Sequence, residues 1–382
     1  MVHDDGLSST DIAVPDAIDS GRIDIDLGAV VANLAEIRRL AGPGRKVIAT
    51  IKADAYGHGC VAVARRLEAA GVEYFAAGNL DDAAAMRAAG VATPMILLSG
   101  LRPHMIGRVL ALGVIPTVFD LEVAEALVRA ARQPVPVFVK VDCGFGRFGV
   151  PLAEAHALMR RFRLIDRLSV EGIYTHNSFS DPTGQAWATA RAADFAALVA
   201  ALERDGLRPP VTQALASPGV FAGLSEGSDA VAVGHVLYGI NPVGPAVHSP
   251  GGMALRPALT EIRTRLANVG KRPPDGQAAA YLRHVKGPTG VVPVGICHGY
   301  RPTAPAAYMI VSGRKAPILR VCLENTILDL SDVEAAVDEE VLILGAAGDL
   351  RITLDMLAAW QETSVLMVVT GLGRSLQRRY AD

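Results

Sequence analysis

Apolar positions along the first two thirds of this chain follow two alternating rhythms, short β-branched runs and longer stretches with helical spacing. The first run, Arg22-Ile23-Asp24-Ile25-Asp26-Leu27, alternates apolar and polar residues as a strand with one buried face does. Residues 29–40 have apolar positions at helical spacing and precede a Gly-Pro-Gly break at 42–44. Strands are then expected to begin near Val47, Tyr74, Met95, Pro116, Val137, Val170, Val211 and Ala230. Helical segments separate most of them, among them 61–70, 80–89, 121–132 and 151–163. Eight strands alternating with helices over about 200 residues predict an α/β fold, a (β/α)8 TIM barrel. A doubly wound sheet would share this rhythm, but no G-x-G-x-x-G follows the first strand.

Past Gly252 the rhythm changes. Residues 262–269, 290–297, 307–311, 317–321, 326–330 and 341–344 read as short strands with turn chemistry between them, and helical pattern is scarce. The expected division is a polar N-terminus at 1–20, a barrel at 21–250 and a mostly β domain at 251–382. The 22–27 strand precedes the eight barrel strands, so it is available to pair with the β domain.

Composition narrows the partners. At 382 residues the chain is long enough for two domains, and 51% hydrophobic residues supply a large core. Net charge is −2 with no basic block, which argues against nucleic acid or an anionic membrane. Aromatics at 5% argue against stacking on single strands. Gly, Pro or charge breaks every apolar run short of the roughly 20 residues that span a bilayer. The acidic start, Met1-Val2-His3-Asp4-Asp5, is unlike a signal peptide. Cys60, Cys143, Cys297 and Cys322 make no metal-spaced pair, so the expectation is a cytoplasmic protein with reduced thiols and no metal.

The chemistry centres on Lys52. An apolar run, Val47-Ile48-Ala49-Thr50-Ile51, ends in this lysine, and a polar, glycine-containing turn follows. That places an amine at the mouth of a fold, where loss of water lowers its pKa and leaves it free to bond an aldehyde such as pyridoxal phosphate (PLP). A solvated lysine at a strand end is the plain alternative. The string Ile51-Lys52-Ala53-Asp54-Ala55-Tyr56-Gly57-His58-Gly59 resembles the PLP-lysine motif of the alanine racemase family, the fold type III PLP enzymes. The resemblance runs from about Arg22 to the end of the chain. It implies a barrel with a β domain, PLP on Lys52, a small amino-acid substrate, and a homodimer whose sites a second subunit completes.

Further strand ends carry matching pieces. Val139-Lys140-Val141-Asp142-Cys143-Gly144-Phe145-Gly146-Arg147 contains an arginine fork suited to a carboxylate or the cofactor phenolate. Lys140 matches a lysine that is carbamylated in some members and props that arginine. His176 matches a histidine packed on the cofactor ring, and Asp181 an acid lining the entry channel. Tyr56 is expected beside the cofactor. Barrel phosphate sites commonly follow strands 7 and 8, which suits Ser217, Gly234 and the N–H of His235.

Three departures stand out. Ala232 occupies the place of an arginine that faces the pyridine nitrogen. Ile296, in Gly295-Ile296-Cys297-His298-Gly299-Tyr300, replaces the tyrosine that acts on the second substrate face. If that segment is a strand, His298 returns to the face of Ile296 and, titrating near neutrality, is the candidate second base, while Cys297 points away. Leu323 and Glu324 alter the substrate end, and Arg374 aligns with a phosphate-holding tyrosine. The expected activity is a PLP-dependent amino-acid racemase with an altered second base. The alternatives are a one-faced PLP reaction (decarboxylation, retro-aldol cleavage or epimerisation) or a PLP-binding paralogue without racemase activity.

Overall fold

The computed structural model describes residues 20–224, 227–274 and 277–382. Except for Ser20, the polar N-terminal segment lies outside them. After β1 (Arg22–Asp26), a helix at Leu27–Ala41 leads into β2 (Lys46–Thr50), β3 (Tyr74–Ala77), β4 (Met95–Gly100), β5 (Ile115–Val118) and β6 (Val135–Asp142). A two-residue β7 (Val150–Pro151) pairs alongside the end of β6, and β8 (Leu168–Asn177), β9 (Val211–Ala216) and β10 (Ala230–Val233) complete the set. Strands β2 to β6 and β8 to β10 pair in parallel, and β10 returns to β2 with Val231 opposite Val47. The result is a closed eight-stranded barrel. Every strand begins within two residues of its expected start.

Alternate residues fill the interior. Ile48, Ala76, Ile96, Ile115, Phe138, Tyr174, Val211 and Ala230 form one buried cluster, as inward positions of a small barrel do. The opposite faces of the same strands pack against the surrounding helices in the main core.

The second sheet holds β11 (Leu259–Arg265), β12 (Asn268–Gly270), β13 (Thr289–Val292), β14 (Tyr308–Val311), β15 (Arg314–Val321), β16 (Thr326–Asp329), β17 (Glu340–Ala347), β18 (Leu350–Ile352) and β19 (Gln377–Ala381). β1 lies in this sheet, antiparallel to β11 and parallel to β19. Asp26 ends β1 and caps the helix that enters the barrel, its Oδ1 accepting the Ala29 N–H at 2.7 Å. Buried Asn33 on that helix donates to the Leu237 and Arg256 carbonyls at 3.1 and 2.8 Å, tying the barrel to the chain leaving it.

Two expectations fail here. The strand expected over 290–297 stops at Val292, and Ile296, Cys297 and His298 form a single 3₁₀ turn. Gly299 takes φ +80°, and a Cβ at Gly295 would come within 2.5 Å of the Cys322 carbonyl. Helix is also less scarce than expected, with segments at Leu354–Trp360 and Val365–Leu372. Thr353 and Ser364 cap them, but both are short and the second is a Leu-Met-Val-Val run that reads as strand. Among the described residues no helix is long and apolar enough to cross a membrane.

Candidate active site at the barrel mouth

A cavity of about 570 Å³ opens at the C-terminal ends of the barrel strands, where Leu366, Met367 and Thr370 of the late helix form part of its wall. Its charged lining is Lys52, Lys140 and Arg147, and no carboxylate lines it. This is a hole built for an anion.

Lys52 follows β2 directly and is followed by an unusual turn. Ala53, Asp54, Ala55 and Tyr56 all take left-handed helical angles, with φ between +52° and +57°. For non-glycine residues this costs roughly 1–2 kcal/mol each, so surrounding contacts must hold it. Asp54 donates its N–H to Asp82 at 3.1 Å, and its carboxylate accepts the Cys60 N–H at 2.7 Å and an Arg378 Nη. Arg378, on β19, also donates Nε to the Gly57 and Gly373 carbonyls at 3.0 and 2.7 Å. His58 sets Nδ1 against the Ala55 and Tyr56 carbonyls and stacks on Tyr238 at 4.7 Å. Tyr238 donates its hydroxyl to the Thr50 carbonyl at 2.9 Å.

Burial lowers the Lys52 pKa, helped by the Arg147 guanidinium. Lys140 falls to about 8, first through burial and then through Arg147. Its Nζ sits 4.7 Å from the Tyr174 ring centre, with no carboxylate at ion-pair distance among the described residues. Burial pushes His176 down to about 3 and lowers His235, so both are neutral. Burial raises Tyr56 to about 12, which leaves its hydroxyl a donor.

Ser217, Gly234 and Tyr56 converge at one end of the cavity. The Gly234 N–H donates to Ser217 Oγ at 2.9 Å, and a Cβ at 234 would stand 2.2 Å from the Tyr56 hydroxyl. Only glycine lets the phenol and these groups share one corner. Asp142 sets the Arg147 loop by accepting N–H groups of Gly144, Phe145 and Gly146, and the Arg147 guanidinium lies 4.9 Å from the Phe145 ring centre.

The structure thus brings Lys52, Tyr56, Lys140, Arg147, His176, Ser217, Gly234 and His235 around one cavity. Other expected residues lie elsewhere. Arg374, expected to hold phosphate, is exposed and is not among the residues lining this cavity. Asp181 caps the helix Pro182–Arg204 through the Gly184 N–H at 2.9 Å and does not line the cavity. Ile296, His298, Leu323 and Glu324 also stay outside it. In the 3₁₀ turn His298 Nδ1 accepts the Gly295 N–H at 3.1 Å, and Cys297 Sγ lies 3.3 Å from the same nitrogen rather than pointing away. Sequence reasoning missed Asp54 and His58 as braces, although both stand within the quoted motif. It also missed Gln213, whose signal was a polar residue at an inward position of an apolar strand.

The sequence matches the family model for the alanine racemase N-terminal domain over residues 25–242 and that for the C-terminal domain over residues 260–380. The chain belongs to the alanine racemase family. An alanine racemase of Desulfovibrio desulfuricans is 33% identical over 369 residues, covering 94% of this chain and 97% of the relative. The alanine racemase structure from E. faecalis superposes with a TM-score of 0.85 at 28% identity, over 95% of this chain and 98% of that one. The enzyme from D-cycloserine-producing Streptomyces lavendulae gives 0.83 at 26% identity, over 95% and 97%. The family consists of PLP-dependent isomerases, and this chain is a PLP-dependent racemase by membership. The cavity fits that cofactor: cations for its acidic groups, a half-buried amine of lowered pKa, and a corner where Ser217, Gly234 and Tyr56 meet.

Proposed function

We propose that Lys52 carries PLP covalently and that the chain, as a homodimer, racemises a small amino acid of the alanine type. The observation that carries this is the half-buried amine of Lys52, of lowered pKa, in one cavity with the Ser217–Gly234 corner. PLP supplies an electron sink for a carbanion at Cα. Ser217 Oγ, itself bonded by the Gly234 N–H, the His235 N–H and the Tyr56 hydroxyl would hold the phosphate in the corner that Gly234 keeps open. The Arg147 fork takes a carboxylate or the phenolate, with Lys140 behind it, and His176 packs on the ring. Lys52 moves the proton at Cα on one face.

Racemisation needs a second group on the other face. The 295–300 segment is outside its own cavity, so a second copy must present it. The Nδ1 of His298 accepts the Gly295 N–H, which leaves the proton on Nε2, with Cys297 Sγ 3.8 Å away, as the group to act on a partner's substrate. Leu323 and Glu324 lie beside it, since the Ile296 and Cys297 N–H groups donate to the Cys322 and Leu323 carbonyls at 3.0 and 2.8 Å. We place the domain division near residue 250, and the four free cysteines suit a cytoplasmic setting.

Ile296 also favours a second reading, a one-faced PLP reaction, because its side chain moves no proton. Loss of acid/base help on one face costs about 10²–10⁴-fold, so alanine racemisation is expected to be weak. Borohydride trapping of holoenzyme should label wild type and leave Lys52→Ala unlabelled; covalent trapping by Lys52→Ala overturns the lysine assignment. Cα deuterium exchange read with product chirality then separates the two reactions. Exchange into both enantiomers, reduced by His298→Ala on one face and raised by Ile296→Tyr, supports racemisation. Exchange confined to one face supports the second reading.

A further inference from the structure

Gln213 is a polar cavity group with no task in the scheme above. It lies on β9 opposite Ala230 of β10 and is 2% exposed, yet lines the cavity together with Ala232, two residues further toward the mouth. Its Nε2 donates to the Leu215 carbonyl at 3.0 Å, which fixes which end of the amide is nitrogen. Its oxygen is given no donor by the described residues. On the neighbouring β8 the Tyr174 hydroxyl is already paired with Thr117 Oγ1 at 2.9 Å.

Strand order sets what this oxygen faces. The wall runs β2, β10, β9, β8, with Lys52 just past the end of β2 and Gln213 on β9. Between them β10 contributes only Ala232 and Gly234 to the lining before His235, leaving room for a flat ring. In pyridoxal phosphate the ring nitrogen is para to the carbon bearing the aldehyde. A ring joined to Lys52, with its phosphate at Ser217 and Gly234, therefore turns its nitrogen away from Lys52, over Ala232. We infer that Gln213 is the positioning residue for the cofactor's ring nitrogen, accepting through Oε1 a hydrogen bond from that nitrogen in its protonated form. The assignment rests on PLP being held by Lys52.

An amide oxygen can bond this nitrogen only when the nitrogen carries a proton. An unprotonated nitrogen would need the amide to flip, and the Leu215 carbonyl would lose its donor. The charged groups facing the ring are Lys52, Lys140 and Arg147, with His176 and His235 neutral. These cations oppose a pyridinium, and the cofactor's phosphate and phenolate offset them. Gln213 thus keeps the ring in its more electron-withdrawing state.

The test is 15N NMR of holoenzyme reconstituted with PLP labelled at the ring nitrogen, with free pyridoxal phosphate at acid and alkaline pH as references. Wild type should resonate at the pyridinium position at neutral pH. Gln213→Met should shift it toward the pyridine position, as should Ala232→Arg, which places a donor there. Gln213→Glu should hold it at the pyridinium position to higher pH. A pyridine-like wild type overturns the assignment even if both Gln213 variants fail to fold, and so does an unshifted Gln213→Met. Wild type that binds no PLP overturns the lysine reading with it; wild type that binds PLP with a pyridine-like nitrogen overturns the Gln213 assignment alone.

Discussion

Lys140 forms no ion pair among the described residues, with Asp142 its attractive charge at longer range. It is 6% exposed, faces the Tyr174 ring, and has Arg147 as a neighbouring cation. Its pKa of about 8 lies below the ordinary 10.5, so between these values the unfolded chain binds the proton and the folded chain does not. The Lys140 contribution to apoprotein stability should therefore rise with pH from about 8 to 10.5, by roughly 3 kcal/mol at most. Lys140→Met should be more stable than wild type at pH 7, and the gap should narrow by pH 10, read by urea unfolding of both proteins at each pH. A gap that does not narrow over this range refutes the account. His58 gives the same sign on the acid side. Burial holds it near 4 against 6.5, so stability should drop as pH falls from 6.5 toward 4, and this loss should shrink in a neutral, foldable replacement such as His58→Gln.

The left-handed turn after β2 is the element on which the site depends. Nothing in Ala53-Asp54-Ala55-Tyr56 prefers positive φ, so the conformation comes from contacts made far along the chain. Arg378 supplies two of them, to Asp54 and Gly57, and is itself tied to the Gly373 carbonyl. Arg378→Ala should cost about 2 kcal/mol of stability and weaken PLP binding by more than tenfold through misplacement of Lys52, with Arg378→Lys restoring only part. PLP titration followed by cofactor fluorescence measures this, and unchanged affinity in Arg378→Ala would show that the turn holds itself. The same contrast explains what was legible. The barrel strands were readable because β-branched runs between turn residues carry their own signal. Lys52, Arg147 and Ser217 were readable because each stands in a motif at a strand end. The turn at 53–56, the 3₁₀ turn at 296–298 and the role of Arg378 were not, because each depends on close backbone approach or on a partner hundreds of residues away. His298 shows the consequence: it stands in a 3₁₀ turn and not on a strand, with its Nδ1 accepting the Gly295 N–H.

At the scale of the molecule, two apolar patches are exposed among the described residues. Phe145, Phe148 and Met367 are 41, 42 and 62% exposed around the barrel mouth. Ile296 and Leu323 are 40 and 67% exposed on neighbouring segments of the β domain. Apolar groups gathered around a polar cavity mark an interaction surface, and a two-fold dimer lets one kind of contact cover both patches twice. Each cavity would then be completed by residues of the other copy. Mixing separates this from a site complete within one chain. Lys52→Ala spoils the barrel and leaves the 295–300 segment intact; His298→Ala does the reverse. Each variant alone should show little Cα exchange on the second face. Mixed after dissociation and reassociation in equal amounts, half the dimers are mixed and one of their two sites pairs an intact barrel with an intact segment. Exchange should then recover to about a quarter of wild type. Leu323→Asp in either variant should abolish the recovery and leave monomers in sedimentation at micromolar concentration. No recovery from the mixed pair, or full exchange by a monomer, would mean that the second proton comes from a group of the same chain.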